Sequence, residues 1–128
     1  LVREVKIPVK INFITTSSYG HSEETSGKVD IVSDIDEDLT GYDLLIVDDI
    51  TDSGLTMKYV MEHLQMKNPA SVKCCVLLDK PDRRVVDLDP DYVGFIIPDK
   101  FVVGYGLNFG DYYRNIPYVF VVTDKDRE

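Results

Sequence analysis

The run Leu44-Leu45-Ile46-Val47-Asp48-Asp49-Ile50-Thr51-Asp52-Ser53-Gly54-Leu55-Thr56 constrains this chain more than any other stretch. Apolar residues end abruptly in two adjacent carboxylates, a third carboxylate follows, and a turn of small hydroxyl residues and glycine comes next. An apolar run this short, with turn residues on both sides, reads as a strand buried on both faces. In open α/β sheets, ligands bind in the crevice beyond the carboxyl ends of such strands. Ser53, Gly54 and Thr56 then stand at a helix start, where free N–H groups favour a phosphate. Carboxylates beside that cradle would repel the anion. They suit sugar hydroxyls, a divalent cation or a developing positive charge, so a phosphorylated sugar with a metal fits better than a bare nucleotide.

The rest of the chain alternates in the same style. Val9 to Thr15 reads as a strand, while residues 16–28 are rich in Ser, Thr, Gly and Glu and lack apolar periodicity, as functional or disordered segments do. Val29 to Val32 resumes extended structure, and residues 38–43 form a turn into the motif strand. Beyond Thr56, Met57, Val60, Met61 and Leu64 fall on one helical face, and Asn68-Pro69 ends that helix. Val72 to Leu78 reads as the next buried strand, Asp82 to Pro90 as a charged loop, Tyr92 to Ile97 as a strand and Tyr118 to Val122 as the last one; the charged tail from Asp124 is expected to fray. This order predicts a single α/β domain over residues 1–128, a mostly parallel twisted sheet flanked by helices with right-handed crossovers.

Composition narrows the partners. A net charge of −9 offers no basic field for nucleic acid or anionic membranes, and no apolar stretch reaches the roughly 18 residues that span a bilayer. An anionic substrate must be captured by local groups, helped by a cation. Cys74 and Cys75 are adjacent in an apolar strand, which is neither a metal-ligand spacing nor a favourable disulfide geometry, so buried reduced thiols in a cytosolic protein are expected. His21 and His63 stand alone, and surface roles are expected of both.

The motif resembles the phosphoribosyl-pyrophosphate signature of the type I phosphoribosyltransferases. Ser17-Ser18-Tyr19-Gly20 ahead of it, Leu78-Asp79-Lys80 after it, then Pro98-Asp99-Lys100-Phe101-Val102-Val103-Gly104-Tyr105-Gly106-Leu107 and Tyr113-Arg114-Asn115, follow the order and spacing of the hypoxanthine (6-oxopurine) branch. The resemblance covers essentially the whole chain. It implies the type I phosphoribosyltransferase fold and purine salvage: transfer of the 5-phosphoribosyl group from phosphoribosyl pyrophosphate to hypoxanthine and guanine, giving inosine or guanosine monophosphate and pyrophosphate. It also implies Mg2+, a cytoplasmic homo-oligomer (dimer or tetramer) when full length, and a mobile lid carrying Ser18 and Tyr19. The family's Leu-Lys-Gly pyrophosphate loop has no match here. Leu1-Val2-Arg3-Glu4-Val5 is therefore expected to be the end of the helix after that loop, within a longer protein.

By the same resemblance, Asp52 is the general base that takes the purine N7 proton as N9 attacks the anomeric carbon. Its plain alternative is a helix N-cap. Asp48 and Asp49 are implied to hold the ribose hydroxyls and the metal-bound substrate; the family more usually has Glu at position 48, so the reach is shorter here. Ser53, Gly54, Leu55 and Thr56 would bind the 5′-phosphate, Leu55 through its backbone only. Lys80 is placed at the exocyclic oxygen, where N–H donors suit a 6-oxopurine and disfavour adenine. Phe101 stacks on the purine, Val102 reads its edge through the backbone, and Arg114 contacts pyrophosphate. Asn108 stands where the family usually has Asp, which should weaken binding of a second metal. Each of these residues also has an ordinary reading: core aromatic, surface cation, helix start.

Two other classes compete. A phospho-receiver domain also pairs acids at a strand end, with Asp79 as its later Asp, but its Lys belongs at the end of a later strand and Ile97-Pro98 has none. A phosphoribosyl-pyrophosphate-binding regulator would keep the fold without catalysis, yet would want a basic surface. Other purine phosphoribosyltransferases differ in substrate alone.

Overall fold

The structure, a computed structural model, describes residues 1–18 and 29–127. Its elements are β1 (Thr15–Ser18), β2 (Val29–Ser33), β3 (Asp43–Thr51), α1 (Leu55–Gln65), β4 (Ser71–Asp79), β5 (Tyr92–Ile96), β6 (Val102–Val103) and β7 (Phe120–Val121). Single 3-10 turns at Val2–Glu4, Pro81–Arg83 and Asp124–Arg127 complete the described chain.

The centre is a parallel sheet in the order β3-β4-β5. Parallel neighbours need a crossover connection. Between β3 and β4 it is α1; between β4 and β5 it is the loop that follows Lys80, with only a 3-10 turn in it. The aspartate at the end of that loop fixes its return: Asp91 Oδ2 accepts the Cys74 N–H at 2.8 Å, and the Asp91 N–H donates to the Cys74 carbonyl at 3.1 Å.

α1 is short, and an isolated helix of that length is marginal in water. Packing holds it. Met57, Val60 and Leu64 are buried, as their spacing predicted, against Cys74, Val76 and Ile46 on one side and Leu39, Ile35 and Leu44 on the other. Each such side chain is worth about 1.5–3 kcal/mol when fully buried. Asn68, with φ of 57°, turns the chain after the helix, next to Pro69.

Several expectations are corrected. Residues 9–14 form no strand: Val9, Ile11 and Phe13 alternate as a strand would, yet all three are exposed and no segment among the described residues supplies a ladder. The motif strand is buried on one face only. Ile46 turns toward α1, whereas Leu45 and Val47 are 46% and 57% exposed, and Phe95 on β5 is exposed too. No helix covers that face among the described residues. The final strand is reduced to β7, which pairs antiparallel with β6, and β1 pairs antiparallel with β2. These two ribbons were not expected. Of the lid residues, Ser18 closes β1 opposite Val29, and Tyr19 lies outside the described residues. His21 lies outside them as well. His63 Nε2 meets Asp34 Oδ2 at 2.8 Å, away from the motif. Both cysteines are free thiols; Cys74 is fully buried, and burial pushes its thiol pKa up.

The 104–116 segment leaves β6 through Gly104, whose φ is +92°. A Cβ there would lie 2.0 Å from the Tyr118 carbonyl oxygen, so only glycine allows this backbone to pass β7's lead-in. Gly104→Ala is expected to cost about 2 kcal/mol through its left-handed backbone and the forced shift, read as a lower midpoint in urea. An unchanged midpoint would show that the loop adjusts freely.

Candidate active site

β3 and β4 run in parallel register, with Thr51 opposite Asp79. The two strands therefore end level. The chain leaves β3 through Asp52, Ser53 and Gly54, and leaves β4 through Lys80 and Pro81. A further bond crosses this end: the Lys80 N–H donates to the Thr51 carbonyl at 3.0 Å. Sequence-distant Asp52 and Lys80 thus arrive side by side, one position beyond partnered residues.

Asp52 does not cap the helix. The N-cap is Gly54, in the left-handed region at φ of 84°, and no side chain caps there. The Asp52 carboxylate turns toward β4 instead, with Oδ1 shielded from solvent, without a hydrogen-bond partner among the described residues, and 3.5 Å from the Lys80 ammonium. Lys80's side chain is 7% exposed, so it is a buried cation and not the surface residue an isolated Lys usually is. A shielded carboxylate oxygen beside one ammonium is poised to accept from a ligand that enters between them.

The turn itself is built closely. Ser53 Oγ accepts the Leu55 N–H at 3.3 Å, the Ser53 carbonyl accepts the Val85 N–H at 3.0 Å, and the Gly54 carbonyl begins the helix by accepting from Lys58. A Cβ on Gly54 would meet Arg84 Cδ and Val86 Cγ2, each at 2.9 Å. The first N–H groups of an α-helix lack intrahelical partners, and here Ser53 Oγ accepts that of Leu55.

Asp48 and Asp49 lie inside β3, because the ladder with β4 continues through Ile50 to Thr51. The strand is longer than the apolar run suggested. Asp48 Oδ1 accepts the Asp49 N–H at 2.8 Å and Asp49 Oδ1 accepts the Ile50 N–H at 2.7 Å. Desolvation and the adjacent Asp49 carboxyl push the Asp48 pKa up to about 6. An acid whose folded pKa is raised binds more protons when folded, so stability falls as pH rises from about 4 to about 6. Asp48→Asn is accordingly expected to raise the thermal midpoint of the ligand-free protein at pH 8 and to leave it nearly unchanged at pH 4. An equal shift at both values would show that the two carboxyls do not strain each other.

The remaining candidates sit around the strand ends or apart from them. The Ile97 N–H donates to the Asp79 carbonyl at 2.8 Å, which draws the 97–101 stretch to the end of β4; Arg83 and Asp99, both about half exposed, meet at 3.5 Å on the surface, a pair that adds little. Phe101 follows, 45% exposed, its ring edge-on to Phe109 at 5.9 Å; Val102 opens β6. Asn108 and Arg114 are occupied within their own loop. Asn108 Nδ2 donates to the Gly110 carbonyl at 2.5 Å, and Arg114 Nη1 to the Gly106 carbonyl at 2.8 Å. An apolar groove of about 610 Å³, lined by Leu77, Phe95, Ile97, Tyr118 and Val121 among others, takes in Val102 but not Asp48, Asp49, Asp52, residues 53–56, Lys80 or Phe101.

Arg84 was not singled out from the sequence, and Asp79 was weighed only as the later Asp of a phospho-receiver. Arg84 donates from Nη1 to the Asp52 carbonyl at 2.7 Å, from Nε to the Leu88 carbonyl at 2.8 Å, and from Nη2 to Asp79 Oδ1 at 2.5 Å. In Arg83-Arg84 nothing distinguishes the buried guanidinium from the exposed one.

Comparison with known proteins bears on what this arrangement belongs to. The chain is 51% identical over 124 residues to a hypoxanthine-guanine phosphoribosyltransferase of Aquifex aeolicus, covering 97% of this chain and 70% of that protein. It is 51% identical over 119 residues to a hypoxanthine phosphoribosyltransferase of Salmonella typhimurium, covering 93% and 67%. Among solved structures, a hypoxanthine-guanine phosphoribosyltransferase of Bacillus anthracis matches with a TM-score of 0.88 at 49% identity, covering 95% of this chain and 72% of that one. A hypoxanthine phosphoribosyltransferase of Staphylococcus aureus matches with a TM-score of 0.91 at 39% identity, covering 97% and 67%. The family described as "Phosphoribosyl transferase domain" matches residues 1–110, and with the level strand ends and the turn already in place, the chain belongs to that family.

Proposed function

We propose that this chain carries the catalytic site of a purine-salvage enzyme that transfers the 5-phosphoribosyl group from phosphoribosyl pyrophosphate to hypoxanthine and guanine. The observation that carries this reading is the Asp52–Lys80 approach of 3.5 Å beside the 53–56 turn. A 6-oxopurine presents O6 and N7 on one edge, so a donor and a carboxylate side by side can address both. Lys80 donates to O6; Asp52 takes the proton from N7 as the N9 lone pair forms the bond to the anomeric carbon. The bond from that carbon to pyrophosphate oxygen breaks, and the electron pair leaves with pyrophosphate. Ser53, Gly54, Leu55 and Thr56 hold the 5′-phosphate at the start of α1. Phe101 stacks on the purine, Val102 reads its edge, Asn108 lies on that side with an amide in place of a carboxylate, and Arg114 meets the pyrophosphate after releasing Gly106. Ser18 and Tyr19 belong to the lid.

Asp48 and Asp49 bring two hard oxygen donors together, a set that suits Mg2+ arriving with substrate phosphates; among the described residues no cage of three or more such side chains exists. When bound, the ion neutralises charge on the diphosphate, and the two aspartates also hold ribose hydroxyls. We read residues 1–128 as part of one domain acting in the cytoplasm within a homo-oligomer, a dimer or tetramer. Free thiols and the uncovered apolar face of β3 support that reading.

Incubating the protein with phosphoribosyl pyrophosphate, Mg2+ and single purine bases tests the reaction. Inosine monophosphate should form from hypoxanthine with equimolar pyrophosphate, and guanosine monophosphate from guanine. Product from adenine but from neither 6-oxopurine would overturn the assignment.

A further inference from the structure

We propose that Arg84 is a positioning residue that locks the Asp52 turn and the Lys80 strand end into one geometry. The proposal rests on the reading of Asp52 and Lys80 given above. Arg84's side chain is 12% exposed and that of its partner Asp79 is 8% exposed. A buried ion pair adds little net stability over well-packed apolar residues, because desolvation offsets the attraction. What the guanidinium does supply is a rigid fork of donors. Three of them reach three segments: Nη1 the backbone carbonyl of Asp52, Nη2 the carboxylate of Asp79, and Nε the carbonyl of Leu88. Asp52 carries the carboxylate of the site, and Asp79 is the residue directly before Lys80. One planar group therefore ties the backbone of one reacting residue to the neighbour of the other. The adjoining Val85 N–H adds a bond to the Ser53 carbonyl, so the same loop also braces the phosphate turn.

The aliphatic stem contributes separately. Its Cδ stands 2.9 Å from where a Gly54 Cβ would be, so the arm closes over the turn that glycine opens. Arg84→Met keeps most of that packing and removes every donor; Arg84→Lys keeps the charge but reaches one acceptor at a time. Arg83, exposed and paired with Asp99, supplies the control Arg83→Met.

A misplacement of about 1 Å can cost roughly 100-fold in rate, so Arg84→Met is expected to lose about 30-fold or more in kcat. The KM for hypoxanthine should change far less, Arg84→Lys should recover only part of the rate, and Arg83→Met should match wild type. Added guanidinium ion at tens of millimolar (order of magnitude), with equal urea as control, should raise the rate of Arg84→Ala, as an oriented donor lost from a packed site can be replaced. Amide hydrogen exchange supplies a readout independent of turnover: in Arg84→Met the N–H groups of residues 53–56 and of Lys80 should exchange faster while those of β5 stay protected. Wild-type protein that does not turn over hypoxanthine would overturn the function, leaving the exchange pattern to decide the clamp. Unchanged exchange at 53–56 and 80 would overturn the proposal, as would a kcat within about threefold of wild type in both Arg84 variants.

Discussion

Asp52→Asn is expected to lower kcat by about 100- to 10,000-fold, the range that a positioned proton acceptor contributes. An amide preserves the shape of the side chain and cannot take the N7 proton. Binding should survive, because the proposed phosphate cradle uses the hydroxyls and backbone of residues 53–56, and Asp52 contributes its carbonyl to Arg84 unchanged in the variant. The geometry sharpens the expectation: Oδ1 is shielded and, among the described residues, has only Lys80 within reach as a donor. The checks are steady-state kinetics and calorimetry with inosine monophosphate. A rate near that of wild type would remove Asp52 from the chemistry.

Lys80→Met is expected to reduce kcat/KM for hypoxanthine and guanine by about 30- to 150-fold, which corresponds to about 2–3 kcal/mol for a charged donor lost from a buried acceptor. Methionine fills the slot that Lys80's 7% exposed side chain occupies, so loss of packing is kept small. Discrimination against adenine should narrow at the same time, since the donor that clashes with adenine's amino group is gone. Parallel kinetics with the three bases test it. Equal loss for all of them would mean that Lys80 supports the site without reading the base.

What the sequence made legible was what lies contiguous along it. Leu44 to Thr56 holds strand, carboxylates, turn and helix start in a single run, so its local order could be read directly, and the spacing of Met57, Val60 and Leu64 announced the buried face of α1. Sequence pattern alone left Asp52 between cap and base; the left-handed Gly54 takes the N-cap and releases it. Burial was harder to read. Leu45 and Val47 are as apolar as Ile46, but a side chain's hydrophobicity does not say whether a layer covers it. Pairing was harder still: Val9, Ile11 and Phe13 have the alternation of a strand and lack a partner among the described residues, while two-residue β6 and β7 are too short to carry any alternation. Arg84 was invisible for a related reason, since its three acceptors come from positions 52, 79 and 88.

The pairing of Thr51 with Asp79 also determines how the protein can move during a reaction cycle. Two strands of one ladder do not slide, because a slip of a single residue would turn every side chain to the opposite face. Asp52 and Lys80 each stand one residue beyond this ladder, and Arg84 ties the two ends together, so on the proposed reading they move as one unit and do not swing apart to admit or release a base. The microsecond-to-millisecond motions that admit a ligand then fall to segments outside this unit; the 104–116 segment, for one, is folded by its own hydrogen bonds. On that reading the spacing between the two side chains is set once, when the sheet and the Arg84 bonds form, and does not have to be rebuilt at each turnover.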